Sequence, residues 1–287
     1  MNAQKIAVIA DTGCDIPKEY YERDDFFVIH FRVIYKEGEY IDGITIDTAE
    51  VFDRLDREIP KTSLPNGYDI MNVFDKAREA GYEHALVLSI SSKLSGTCNF
   101  LELLSKDYEG MDIRVLDTKN IGIGSGLFGI DAFDCIDRGM DFESLWQRMQ
   151  NHITSSKVFF SLGTLEYLRK GGRIGHVASI LGATINIKPV ISCNREGVYY
   201  TVKKARGRKA SLKVQAEEIK NYIGAHRHYM LAYCWGNARA EDILSLTEQL
   251  RVEAANATRL FENIVLSPSL AINTGPELLG IGVYIVE

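Results

Sequence analysis

Two hydroxyl-rich loops and two basic clusters hold the side chains of this sequence best suited to chemistry. Lys61-Thr62-Ser63-Leu64-Pro65-Asn66-Gly67 is constrained by Pro60 and Pro65. The hydroxyls of Thr62 and Ser63 can donate to an anionic oxygen, at about 1–3 kcal/mol for a charge-assisted bond. The same residues serve equally well in ordinary loop chemistry, bonding their own backbone. Ser91-Ser92-Lys93-Leu94-Ser95-Gly96-Thr97 stands between an apolar run and a helical pattern. That order turns unpaired amides and the positive end of a helix dipole toward Ser95, Gly96 and Thr97, which suits an anion. Gly96 allows close backbone approach. The competing reading is that Ser95 or Thr97 caps the helix. Arg169-Lys170 with Arg173, and Lys203-Lys204 with Arg206 and Arg208-Lys209, suit a phosphate or an acidic partner surface, or else form solvated faces.

A catalytic set is harder to assemble. His30, His84, His152, His176, His226 and His228 have no ligand spacing, and there is no G-x-S-x-G elbow or P-loop. Gly122, Gly124, Gly126 and Gly129 can be forced toward a dinucleotide fingerprint, but the downstream acidic residue on a following strand is missing. They read as small residues for close helix packing. Asp11 and Asp15 could hold a metal, or cap a helix.

These loops need elements to position them. The first half alternates apolar runs with helical patterns: strands at 5–10, 26–35, 85–90 and 113–116, and helices over 48–58, 68–80, 97–105, 122–138 and 142–153. Asp47 and Asp141 are placed to cap two of the helices. A Pro-bounded loop covers 59–67. Strand, polar loop and helix in repetition predict a parallel sheet covered on both faces, with the loops starting at Asp11, Ser91 and Asp117 at one edge. The second half predicts strands at 158–162, 187–192, 198–202, 229–234, 260–266 and 280–286, with helices at 164–169, 209–223 and 240–254. Asn194-Arg195-Glu196-Gly197 is a hairpin turn. The fold class is therefore α/β: an N-terminal parallel-sheet α/β domain over 1–155 and a C-terminal α+β sandwich domain over 156–287, with loop 60–67 facing the second domain.

With 287 residues, 46% hydrophobic and 25% charged, the chain can bury a large core. A net charge of −6 argues against nucleic acid as a partner. Cys14, Cys98, Cys135, Cys193 and Cys234 are odd in number and widely spaced, so reduced thiols in a cytoplasm are expected. Met1-Asn2-Ala3-Gln4 runs straight into a strand pattern, so no signal peptide is expected. No apolar run reaches the ~20 residues of a membrane helix, and stable membrane insertion is not expected.

The ordered set of motifs resembles the DegV family, which includes the fatty-acid-binding subunit of bacterial fatty-acid kinase. The resemblance spans 5–286. It is carried by Ala10-Asp11-Thr12 through Asp15, Lys61-Thr62-Ser63-Leu64-Pro65, Ser91 through Thr97, Asp117-Thr118 and Leu168-Arg169-Lys170-Gly171-Gly172-Arg173-Ile174. It continues through Ile187-Lys188-Pro189-Val190, Ala205-Arg206, Thr274-Gly275-Pro276 and Leu279-Gly280-Ile281-Gly282. The resemblance implies a carrier that is not itself an enzyme and uses no cofactor. One long-chain fatty acid would lie in a tunnel between the domains, its carboxylate on Thr62 and Ser95. A separate kinase would phosphorylate that carboxylate. The resemblance further implies that Arg206 matches the family's functional arginine, and that the Lys170–Arg173 turn and the segment Asn273-Thr274 lie near the carboxyl end. Asn273 stands where the family often has His; it donates a hydrogen bond but carries no charge. Gly13-Cys14 and Leu64 also depart from the family pattern. Two other classes remain open. One is a phosphotransferase or hydrolase using Asp11, Asp117 and Arg206; the other is a lipid-sensing adaptor docking through the basic clusters.

Overall fold

The apolar runs of the first half become the inner strands of a sheet whose loops open on one edge. The computed structural model describes residues 1–180 and 186–287. The chain begins with β1 (Ile6–Asp11), β2 (Phe26–Ile29), β3 (Arg32–Tyr35) and β4 (Gly38–Ile41). Then come α1 (Thr48–Arg54), β5 (Lys61–Ser63), α2 (Gly67–Glu79), β6 (His84–Ser89), α3 (Thr97–Lys106), β7 (Asp112–Asp117), α4 (Ile123–Asp137) and α5 (Phe142–Asn151). The second half comprises β8 (Ser156–Ser161), α6 (Glu166–Lys170), β9 (Ile187–Cys193), β10 (Tyr199–Arg206), α7 (Arg208–Ile223), β11 (Tyr229–Trp235), α8 (Ala240–Gln249), α9 (Arg251–Asn256), β12 (Arg259–Val265), α10 (Pro268–Thr274) and β13 (Leu279–Ile285).

The first sheet has the order β2-β1-β6-β7 and is parallel throughout. The loops after Asp11, Ser89 and Asp117 therefore leave the same edge, as the alternating pattern predicts. The second large sheet has the order β10-β9-β8-β13-β11-β12. Its pairs are antiparallel apart from β11 with β12. The fold is thus mixed α/β, with a parallel N-terminal sheet and a separate, largely antiparallel C-terminal one. Asp47 and Asp141 do cap α1 and α5, accepting from Glu50 N and Ser144 N.

Between the sheets lies α4, which packs on β1 and β6 on one side and on β8 and β13 on the other. Nearly every residue from Ile123 to Ile136 is buried. Its glycines let it sit that close. A Cβ on Gly126 would lie 2.4 Å from the Cys14 carbonyl oxygen, and one on Gly129 2.7 Å from Ile16 Cδ1. The small-residue series is a packing device, as read from the sequence. One apolar core, including Leu86, Leu88, Phe128, Phe160 and Tyr284, runs through both sheets. Separate clusters cover the outer faces, under α2 and α3 on one side and under α7 and α8 on the other.

Four readings of local structure need correction. The run 26–35 is two strands in two sheets, because the chain turns at His30-Phe31. There the Thr12 hydroxyl accepts from Phe31 N and the Asp42 carbonyl bonds His30 Nδ1. The segment 59–67 is not all loop, since Lys61–Ser63 pairs with β3 as β5, making a small sheet of order β4-β3-β5. Helix α1 stops at Arg54, whose guanidinium lies over the Tyr35 ring at 3.7 Å. The helix expected over 240–254 breaks at Leu250 into α8 and α9. Beyond these, α10 has no counterpart in the sequence reading.

Candidate functional site

A cavity of about 270 Å³ lies where the two large sheets and the small one meet. Residues of the N-terminal half supply one wall, including Phe31, Ile90, Leu94, Ile121 and Ile123. The facing wall comes from Val158, Phe160, Cys234, Leu266, Leu270 and Leu278. Gly280 of β13 also lines it, so a strand backbone forms part of the wall. Apolar side chains dominate this interior. The polar lining comprises Thr62, Ser63, Ser95, Arg173, Asn273, Thr274 and Ser269, together with the buried Asp15 and Tyr199.

The structure brings five of the seven ligand-binding candidates onto this wall: Thr62, Ser63, Ser95, Asn273 and Thr274. Thr62 and Ser63 come from β5, and the pairing Val33↔Thr62 fixes them beside β3. Ser95 precedes α3. Its Oγ accepts from Thr97 N at 3.3 Å and lies 2.8 Å from Thr97 Oγ1. Ser95 thus supports the helix start and still faces the cavity. Gly96 and Thr97 do not line the cavity. Thr97 is fully buried behind the wall. Gly96 has an ordinary helical backbone, and a Cβ there would meet only Leu64 side-chain carbons at 3.6–3.9 Å. Its lack of a side chain is therefore not what shapes the wall.

Asn273 and Thr274 lie in the last turn of α10. Asn273 Nδ2 donates to Ser269 O at 3.0 Å, and Thr274 Oγ1 donates to Leu270 O at 2.9 Å. The Thr274 hydroxyl proton is therefore committed to its own helix. Asn273 Oδ1 abuts Gly171, where a Cβ would lie 2.1 Å away. That contact explains one glycine of Lys170-Gly171-Gly172-Arg173: it lets the basic turn close over α10. Gly275 ends α10 at φ +73°, in the left-handed region that favours glycine.

The basic clusters separate in space. Arg173 lies at the cavity rim, with Nη1 donating to Gly171 O at 2.7 Å. Lys170 pairs with Glu166 within α6 at 2.6 Å. In the second cluster Lys203 pairs with Glu218 at 2.9 Å. Arg208 bonds Asp242, Ser161 and the Glu277 carbonyl. Arg206 is exposed at the end of β10 and does not line the cavity.

The alternative catalytic set is not gathered at the cavity. Asp11 is buried, accepting from Ser89 Oγ at 2.7 Å and Ile90 N at 3.0 Å, and it ties the ends of β1 and β6 together. Burial raises its carboxyl to about 6, and these hydrogen bonds pull back the other way. Asp117 bonds Lys119 Nζ at 2.6 Å and accepts from the Ser92 and Lys119 amides. Neither lines the cavity. Among the described residues no three His, Cys, Asp or Glu side chains form a metal-binding group, and no helix is long and apolar enough to cross a membrane.

Sequence reasoning passed over the role of Asp15. It caps no helix. Its backbone is left-handed at φ 47°, ψ 42°, and its Oδ1 accepts from Ser267 N at 2.9 Å. Burial pushes its carboxyl well above the usual range, and Asp42 and Asp11 add repulsion. The backbone of Ser267 lies 252 residues away, so no local signal could have paired them.

Two sheets joined through a buried helix and covered by helices on their outer faces, with a largely apolar cavity between them and hydroxyls among its polar lining, define a layered α/β protein built around an interior site. The chain belongs to the DegV family: the family model, described as "Uncharacterised protein, DegV family", matches residues 5–286. A DegV domain-containing protein of Clostridium acetobutylicum is 36% identical over 281 residues, covering 98% of this chain and 99% of the relative. Solved structures agree in fold. A DegV family protein of Thermus thermophilus, described for its fatty acid binding, superposes with a TM-score of 0.90 at 26% identity, each chain covered in full. A fatty acid binding DegV family protein of Streptococcus agalactiae gives 0.89 at 26%, covering 99% of this chain and 100% of that one. A stearic acid-binding protein of Eubacterium ventriosum gives 0.85 at 27%, with 98% of each chain covered.

Proposed function

We propose that this protein is a carrier of one long-chain fatty acid, holding the acyl chain in the cavity between its sheets and the carboxylate at Thr62 and Ser95. The observation that carries this reading is the make-up of the cavity wall: most of it is apolar, and Thr62, Ser63, Ser95, Asn273 and Arg173 stand among its polar groups. Each methylene buried there contributes about 0.8 kcal/mol, so the chain supplies the affinity. A carboxylate taken out of water needs hydrogen bonds, and the hydroxyls supply them. The fatty-acid-binding relatives from Thermus thermophilus, Streptococcus agalactiae and Eubacterium ventriosum support the ligand class.

In the finer reading the carrier presents that carboxylate to a separate kinase, with the exposed Arg206 as a docking residue. Arg206 suits this role because it stands off the cavity wall, where a partner can reach it. The domain boundary falls at about 155, in the short link between α5 and β8, and the compartment is the cytoplasm. The five cysteines, all free and buried, are in keeping with a reducing compartment. The test is native mass spectrometry of the purified protein, then denaturing extraction. The expected result is one fatty acid per chain, converted to an acyl phosphate when ATP and a fatty-acid kinase are added. No co-purified lipid together with no saturable fatty-acid binding overturns the carrier. Saturable binding without conversion removes the kinase step alone.

A further inference from the structure

We infer that Asp15 is a specificity-determining hydrogen-bond donor inside the cavity, built to receive an oxygen atom carried part-way along the ligand's acyl chain. The inference rests on the fatty-acid reading of this cavity and goes beyond it by naming a substituent on the chain. Asp15 lines the cavity and is only 5% exposed. Its Oδ1 is engaged by Ser267 N at 2.9 Å, and its Oδ2 is buried with no hydrogen-bond partner among the described residues. Around the cavity's interior stand Ile121, Ile123, Val158, Phe160 and Leu270, none of which can satisfy that oxygen. A Cβ built on Gly122 would lie 3.1 Å from Asp15 Oδ2 and 3.4 Å from Leu270 Cδ1, so the oxygen stands at the wall where Gly122 leaves room beside it.

Burial pushes this carboxyl well above the usual carboxylate range and so favours its neutral form; hydrogen bonds from Ser267 pull the other way, and the neighbouring Asp42 and Asp11 add to the effect of burial. Its proton belongs on Oδ2, since Oδ1 already accepts from an amide. The unpartnered atom is thus an O–H donor, and an unsatisfied buried donor is costly. The backbone is held left-handed at φ 47°, which Asp and Asn tolerate better than apolar residues.

Asp15 also stands apart from the polar rim. It is tied to Ser267 before the first turn of α10, whereas Asn273 lies in the last turn. At 1.5 Å per residue the six steps between them span roughly 9 Å. With the carboxylate at the rim, Asp15 therefore meets the middle of a long chain, not its head. An oxo group there accepts from Oδ2–H and satisfies it; a plain methylene leaves it unpaired.

The test compares binding of octadecanoate with that of octadecanoates carrying a single oxo group between C7 and C12. The intact protein, Asp15→Asn and Asp15→Gly are used. Asn keeps an acceptor for Ser267 N and an N–H donor in place of Oδ2–H, and both replacements tolerate the left-handed backbone. The expected result is that the intact protein and Asp15→Asn bind at least one oxo isomer about tenfold more tightly than octadecanoate, and that Asp15→Gly loses the preference. Octadecanoate bound as tightly as or more tightly than every oxo isomer overturns the inference while leaving the carrier intact. A preference unchanged in Asp15→Gly overturns it as well. Failure of all these acids to bind the intact protein overturns both readings.

Discussion

The two ends of the cavity are built by opposite means. Behind the wall away from the rim, at the closed end, only the start of α4 reaches the cavity, at Gly122 and Ile123; the rest is clamped between the sheets, with glycines where neighbouring backbone and side chains approach too closely for a Cβ. The acids nearby are buried and raised: Asp11 and Asp42 to about 6, Asp15 well above its usual value. At the rim, Thr62 and Ser63 sit on a three-residue strand, Ser95 on a loop and Arg173 on a glycine turn. The closed end couples shape to stability. The rim carries recognition groups on short elements that the core does not depend on. A substitution at one end should therefore unfold the protein, and at the other should alter only what it binds.

The largest effect is expected at Gly126. Replacement by Val puts a branched side chain 2.4 Å from the Cys14 carbonyl and close to Ile16 N, both backbone atoms. Neither can move without shifting the loop after β1 that holds Asp15. A loss of at least about 3 kcal/mol is expected, read from urea unfolding. A change under 1 kcal/mol would show that the clamp yields, and the contrast between the two ends would fail there.

Next comes the pH dependence carried by Asp42, fully buried and hydrogen-bonded to Thr12 at 2.8 Å. Burial lifts its carboxyl from 3.8 to about 6, against hydrogen bonds from Ser269 and Thr12. Between these values the native state binds more protons than the unfolded chain. The group's contribution to stability is full below about 3.8, falls as pH rises, and is lost above about 6. Asp42→Asn removes the titration and keeps a neutral acceptor for Thr12. The stability difference between variant and parent should therefore move in favour of Asn from pH 4 to pH 7.5, by up to about 3 kcal/mol. Asp11 titrates in both proteins and cancels from the difference. A gap that stays constant across this range would mean that the closed end ionises without cost.

The sequence disclosed the elements of the closed end well and its chemistry poorly. Buried parallel strands such as β1 and β6 read as apolar runs, and caps such as Asp47 and Asp141 are local, so both were legible. The glycines of α4 were legible as packing positions. Asp15 was not, because its Ser267 partner comes from the far end of the chain and its upward shift comes from burial in the surrounding core. At the rim the balance reversed. Thr62, Ser63 and Ser95 stood out as hydroxyls in short loops, yet β5 and α10, which position Thr62 and Asn273, went unread. A three-residue strand has too little pattern to detect. Helix α10 did carry a signal in Ser267-Pro268, a start residue with proline in the first turn, which went unused. The Arg206 and Arg173 clusters looked alike in sequence, and only the fold put one at the rim and the other on the outside.

The smallest expected effect on stability, and the sharpest test of the rim, is Thr62→Ala combined with Ser95→Ala. Thr62 is only half-buried, and its main structural contribution is the β3 pairing, which is made by the backbone. Ser95 loses two local bonds, to Thr97 N and Thr97 Oγ1. Urea unfolding should shift by no more than about 1 kcal/mol. Fatty-acid affinity should fall ten- to hundredfold, since the bound carboxylate loses two charge-assisted donors that water at the rim replaces in part. A fatty alcohol of the same length has no carboxylate and should be affected much less, so the ratio of the two affinities isolates the head group from the chain. If acid and alcohol weaken alike, the hydroxyls shape the cavity and do not recognise the charge. If neither weakens, the carboxylate lies elsewhere, and Arg173 with Asn273 becomes the place to look, because both line the same rim and each can still donate to an anion.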